Sequence, residues 1–119
     1  MPDQTTPISA LREAMRAFVA ERDWERFHSP KNLAMALAAE AAEVMEHFLW
    51  MENDESRRLM QDPARLAPVA DEIADTFGVC LALCNALNLD LSEIFLDKMS
   101  RNVHKYPADR ARGRYRIED

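Results

Sequence analysis

An all-α fold, a bundle of four to five helices, is predicted by three observations. Only two of the 119 residues are glycine, Gly78 and Gly113, which leaves little material for hairpin turns or barrel corners. Apolar residues recur at three- and four-residue spacing over long segments that lack breakers. Two pairs, Thr6-Pro7 and Ser29-Pro30, stand where such segments begin, with the hydroxyl side chain as N-cap and proline at the first helical position.

The first predicted helix opens at Thr6-Pro7, and Ile8, Leu11, Met15, Phe18 and Val19 carry its apolar stripe to about Asp23. The second runs from Ser29-Pro30 to about Met51. Its main apolar stripe is Leu33, Leu37, Ala41, Val44, Phe48 and Met51, and the adjoining stripe is Asn32, Ala36, Glu40, Glu43, His47 and Trp50. Its far side, with Met35, Ala38, Ala42, Met45 and Leu49, is apolar too. A helix apolar nearly all round in so small a chain needs extra cover, which predicts a homo-oligomer, dimer or tetramer, with this helix in the interface. Residues 53–68 are polar and contain Pro63 and Pro68, so they read as a connection holding a short helix near residues 56–61. A third long helix is expected over about 67–87, with Val69, Ile73, Thr76, Cys80, Leu83, Cys84 and Leu87 on one stripe. Asp90 and Glu93 resemble a capping box for a fourth, over 91–104, which stops before Tyr106-Pro107. Residues 108–119 read as a charged tail bearing Arg110, Arg112, Arg114 and Arg116. Together these elements predict one domain over residues 1–119, with a helical core of about 7–105.

Composition narrows the function classes. Hydrophobic residues at 48% and charged residues at 30% describe a globular chain. The net charge of −6 argues against coating nucleic acid or a membrane surface, both of which need basic faces. No basic-then-apolar leader opens the sequence and no apolar run reaches about 18 residues, so a soluble, cytoplasmic protein without nucleic-acid or membrane partners is expected. Cys80 and Cys84, four apart in an apolar run, read as structural thiols of a reducing compartment.

Two acidic pairs carry the chemistry. Glu40-Ala-Ala-Glu43 and Glu72-Ile-Ala-Asp75 each place acids at i and i+3, hence on one helix face, beside an apolar stripe. If the two helices pack antiparallel, four carboxylates converge with no basic residue near them in sequence. At about 6 Å and an effective dielectric of about 20, each like-charged pair costs roughly 3 kcal/mol, a burden that a divalent cation would remove. Oxygen donors without an imidazole or thiolate among them match a hard cation, Mg²⁺ or Mn²⁺. A carboxylate-bridged iron site needs Glu-x-x-His on two helices; Val44 stands three before His47, and the third predicted helix has no histidine. Carboxylate-held Mg²⁺ commonly completes its coordination with substrate phosphates. No glycine-rich phosphate loop exists, so Lys98 and Arg101 would supply positive charge and Asn102 a directional hydrogen bond. Trp24 and Trp50 offer flat faces for a base, at roughly 1 to 3 kcal/mol per stack.

The order of these motifs is specific. Arg22-Asp23-Trp24, Phe27-His28-Ser29-Pro30-Lys31-Asn32-Leu33, Glu40-x-x-Glu43, Phe48-Leu49-Trp50, Asp71-Glu72-x-x-Asp75, Lys98-Met99, Asn102 and Lys105-Tyr106-Pro107 together resemble the MazG-like all-α nucleoside triphosphate pyrophosphohydrolases, most closely their dCTP pyrophosphatase branch. The resemblance covers about residues 8–107. It implies a homo-oligomeric, Mg²⁺-dependent enzyme that converts a (deoxy)nucleoside triphosphate to the monophosphate and pyrophosphate. It further implies that Glu40, Glu43, Glu72 and Asp75 are metal ligands, that Lys98 and Asn102 contact phosphate and sugar, and that Trp24 and Trp50 enclose the base. His28 and Asn32 match neighbouring pocket positions, and Arg101, Lys105 and Tyr106 complete the candidate substrate-binding set. This chain departs from the pattern at Ala39, where the wider family often has an acid, and at Met15 and Val79, where the dCTP branch is expected to carry histidine and tyrosine. The alternative is a non-catalytic helical bundle that binds nucleotide or a protein partner.

Overall fold

The structure is a computed structural model that describes residues 1–115. It is all-α over those residues. The longer helices are α1 (Ile8–Glu21), α2 (Pro30–Glu46), α4 (Pro63–Leu87) and α5 (Leu91–Lys105), with short helices α3 (Asn53–Arg57) and α6 (Ala108–Ala111) and three 3₁₀ turns, Asp3–Thr5, Glu25–Phe27 and Leu59–Gln61. Two compact units result, Met1–Asn88 and Leu89 onward.

The boundaries follow the local chemistry. Ser29 caps α2 as expected, its hydroxyl accepting from the Asn32 N–H at 3.1 Å with Pro30 at the first position. Asp90 caps α5 by accepting from the Glu93 N–H at 3.0 Å. Thr6, expected to cap α1, does not: its hydroxyl donates to the Pro2 carbonyl at 2.7 Å, and Pro7 takes the N-cap position without a side-chain bond. Helix α2 is shorter than expected, ending at Glu46. His47 and Phe48 turn their N–H groups to the carbonyls three residues back, so the backbone tightens and passes through turns to Trp50. Helix α4 is longer than expected, and its start explains both prolines. Asp62 caps it by accepting from the Arg65 N–H at 3.3 Å, and Pro63 occupies the first turn, where no N–H is needed. Pro68 lies inside the helix, close enough to its start to forgo only the bond to the Ala64 carbonyl. Asn88 closes α4 in the left-handed conformation at φ 53°, a role glycine usually fills. Residues 108–111, expected within a charged tail, form a helical turn, and Arg116 of that tail lies outside the described residues.

In the first unit α4 is the central element. Helix α2 packs along it most extensively, α1 lies against it, and the Leu59–Gln61 turn closes over it. Arg12 meets Asn85 and Met15 approaches Gly78, so α1 and α4 run antiparallel. Leu33, Val19, Leu59, Val69, Leu81, Ala82 and Cys84 are buried between these elements. Ile73, placed on the predicted stripe of α4, is instead 55% exposed, and the outward Met35 and Met45 of α2 and Leu49 in the turn after it are 62%, 56% and 53% exposed. In the second unit α5 leaves Phe95, Leu96, Met99 and Val103 exposed. Among the described residues no single helix is long and apolar enough to cross a membrane.

Candidate metal centre

Uninterrupted helix from Pro30 to Glu46 brings Glu40 and Glu43 onto one face, and α4 presents Glu72 to them. One carboxylate oxygen from each of Glu40, Glu43 and Glu72 lies within 4.8 Å of the others. Asp75, one turn beyond Glu72, is outside this trio but near enough for its charge to act on both Glu40 and Glu72. The packing of α2 on α4 is therefore antiparallel. His28, just before α2, lines a cleft with Ala82, Asn85 and Ala86 towards the end of α4, while Glu40 and Glu43 meet α4 nearer its beginning.

The electrostatics are those of a site built for positive charge. Glu40 Oε2 and Glu72 Oε2 are buried and have no hydrogen-bond partner. Burial, and then the charges of Glu43 and Asp75, raise the Glu40 pKa above its ordinary value of 4.5. Glu72 is raised as well, first by hydrogen bonding of its protonated form with Glu43, then by burial and by the charges of Glu43, Asp75 and Glu40. Two carboxylates that resist ionisation, each with an orphaned oxygen, fit a cation held by oxygen donors.

An imidazole approaches one of the acids from outside the trio: His47 Nε2 is 3.9 Å from Glu72 Oε1, with the two side chains 33% and 23% exposed. His47 is the first residue past α2 but keeps helical dihedrals, φ −65° and ψ −21°, so its ring stays on the Glu43 face one turn on. Its stripe with Glu40 and Glu43 was the sequence signal. What the sequence hides is its approach to Glu72 on another helix.

The remaining candidates are distributed. His28 lines a cleft of about 190 Å³ with apolar walls from Met15, Val19, Ala82 and Ala86 and polar groups from Arg16, Glu25 and Asn85. The cleft is braced by Asn85, whose Oδ1 accepts from Arg12 Nε at 2.9 Å and Arg16 Nη2 at 3.1 Å while its Nδ2 donates to the Arg12 carbonyl at 3.2 Å. This brace was not anticipated, because it joins residues 73 apart in sequence. Trp24 is half-exposed and meets Phe18 edge-to-face, with centroids 5.6 Å apart. Trp50 is 95% exposed. Asn32 ties the turn before α2 to the helix, its Nδ2 donating to the Phe27 carbonyl at 3.1 Å. Lys98, Arg101, Asn102 and Lys105 all lie on α5, in the second unit, with Tyr106 next in sequence. There Arg101 pairs with Asp97 at 3.0 Å, Asn102 is half-buried, and the Lys105 ammonium stands 5.3 Å over the Tyr106 ring.

Known proteins share this sequence and fold. A family model described as the MazG-like family matches residues 35–116. The chain is 36% identical over 106 residues to dCTP pyrophosphatase 1 of Bos taurus, covering 89% of this chain and 63% of that protein. It is 37% identical over 105 residues to dCTP pyrophosphatase 1 of Homo sapiens, covering 88% and 62%. It thus spans less than two thirds of the length of these curated relatives. A crystal structure of a pyrophosphatase from Archaeoglobus fulgidus superposes with a TM-score of 0.78 at 32% identity, covering 90% of this chain and 98% of that one. The family match over most of the chain and the shared all-α fold agree with the two acidic motifs that face each other across α2 and α4: the chain belongs to the MazG-like family.

Proposed function

We propose that the protein is a nucleoside triphosphate pyrophosphohydrolase that acts on a cytosine-type deoxynucleotide with Mg²⁺, or Mn²⁺ in its place. The observation that carries this reading is the convergence of Glu40, Glu43 and Glu72 with two buried, unpartnered oxygens, in a chain whose relatives are named dCTP pyrophosphatase and pyrophosphatase. Glu40, Glu43, Glu72 and Asp75 would hold the cation. When bound, it supplies Lewis acidity and charge neutralisation at the triphosphate. Water adds to the α-phosphorus, the bond from that phosphorus to the α–β bridging oxygen breaks, and pyrophosphate leaves. A carboxylate of the cluster accepts the proton of the attacking water.

The acids and the cleft lie along one helix: Glu72 and Ala82 are ten residues apart on α4, about 15 Å at 1.5 Å per residue. On this reading the cleft at His28 takes the base end, with Trp24, next to the cleft residue Glu25, supplying a stacking face. Lys98, Arg101, Asn102, Lys105 and Tyr106 serve phosphate and sugar. The exposed Met35, Met45 and Leu49 support a homo-oligomer that covers α2.

A panel of nucleoside triphosphates incubated with Mg²⁺, resolving pyrophosphate from orthophosphate, tests the proposal. Monophosphate and pyrophosphate from cytosine deoxynucleotides, with KM raised several-fold in Trp24→Ala, is the expected result. Orthophosphate release, or nucleotide binding without turnover, overturns it.

A further inference from the structure

His47 is unexplained by a centre made of carboxylates alone. Its Nε2 stands 3.9 Å from Glu72 Oε1, too far for a hydrogen bond, and among the described residues the ring makes no other polar contact. Two donors bound to one cation at about 2.1 Å each stand about 3 Å apart when adjacent and about 4.2 Å apart when opposed. The observed separation lies between those limits. The same Glu72 carboxylate has its other oxygen, Oε2, buried and unpartnered, and one of its oxygens lies within 4.8 Å of oxygens of Glu40 and Glu43. Glu72 therefore has the His47 imidazole near Oε1 while its carboxylate also meets Glu40 and Glu43; the imidazole itself stands outside that trio.

We propose that His47 is a nitrogen ligand of this centre, so that the centre binds a borderline transition cation, Mn²⁺ or Co²⁺, more tightly than Mg²⁺. The inference rests on the cation-binding reading above and adds the identity of the ion it favours. Oxygen-only sites accommodate Mg²⁺ well, whereas imidazole adds strength to transition cations and little to Mg²⁺, which seeks hard oxygen ligands. His47 is well placed for this role. It follows the last residue of α2, where a small backbone adjustment brings the ring closer without disturbing the helix that carries Glu40 and Glu43.

Titration calorimetry of the metal-free protein with MgCl₂, MnCl₂ and CoCl₂, on the wild type, His47→Gln and His47→Leu, tests the assignment, with circular dichroism confirming that each variant is folded. Mn²⁺ and Co²⁺ are expected to bind the wild type at least tenfold more tightly than Mg²⁺. In both variants Co²⁺ affinity should fall at least fivefold while Mg²⁺ affinity changes less than twofold, and the visible absorption of the Co²⁺-loaded protein should shift. Equal loss for all three ions, or no loss, with Mg²⁺ still bound by the wild type, overturns the role of His47 and leaves the carboxylate centre standing. No binding of any ion to the wild type overturns both.

Discussion

Asn85 is the side chain that ties α1 to α4, and replacing it by alanine measures how much of the first unit's stability depends on that brace. The bond from Arg12 Nε is charge-assisted and part-buried, contributing about 1.5 kcal/mol, and the bond from Nδ2 to the Arg12 carbonyl is neutral, contributing about 1 kcal/mol. Arg16 is half-exposed and already paired with Glu13, so its bond adds about 0.5 kcal/mol or less. Alanine is the better helix former by about 0.6 kcal/mol, which offsets part of the loss. The net destabilisation expected for Asn85→Ala is about 2 kcal/mol. With a urea dependence of about 2 kcal/mol per molar, the unfolding midpoint followed by circular dichroism should drop by about 1 M. Asn85→Asp keeps the acceptor for both arginines and loses only the Nδ2 bond, so it should cost less than half as much. A loss below about 0.5 kcal/mol in Asn85→Ala, or equal losses in the two variants, would refute the reasoning.

Two further outcomes concern stability. The raised pKa values of Glu40 and Glu72 mean that the metal-free folded protein binds more protons than the unfolded chain once pH exceeds the ordinary 4.5. Its stability should therefore fall as pH rises through that window. Melting temperatures taken from pH 4 to 8 should show Glu40→Gln gaining on the wild type as pH increases, with saturating Mg²⁺ reversing the order; a gap that is constant with pH contradicts the burial and charge argument. A methyl group added at Gly78 would find Met15 Sδ at 3.9 Å, an ordinary contact, in the middle of α4. Gly78→Ala should accordingly stabilise the protein by about 0.5–1 kcal/mol in urea unfolding, and any destabilisation would mean that α1 and α4 pack more closely there.

How much of this was legible in the sequence depended on whether the cause was local. Ser29 and Asp90 announced helices because capping is settled within three or four residues. The acids were legible because two i, i+3 pairs beside apolar stripes leave few ways to pack. Helix ends were less so. Pro63 and Pro68 look like breakers until Asp62 is seen to cap a helix that begins with the first and absorbs the second. The end of α2 at Glu46 carries no glycine or proline to mark it. His47 and Asn85 could not be assigned from the chain alone, since each acquires its partner across a helix interface. An imidazole near Glu72 and a brace from Asn85 to Arg12 are products of how α2 and α1 seat on α4.

The central claim is that Glu40, Glu43, Glu72 and Asp75 form one cation site that holds a triphosphate for attack at its α-phosphorus. Turnover of dCTP in ¹⁸O-labelled water by the wild type and Glu72→Gln, with the label followed by mass spectrometry, tests it most directly. The account predicts label in the monophosphate and none in pyrophosphate, and a rate in Glu72→Gln reduced at least a hundredfold although the variant is folded. Label in pyrophosphate, or turnover that survives the loss of Glu72, would contradict it.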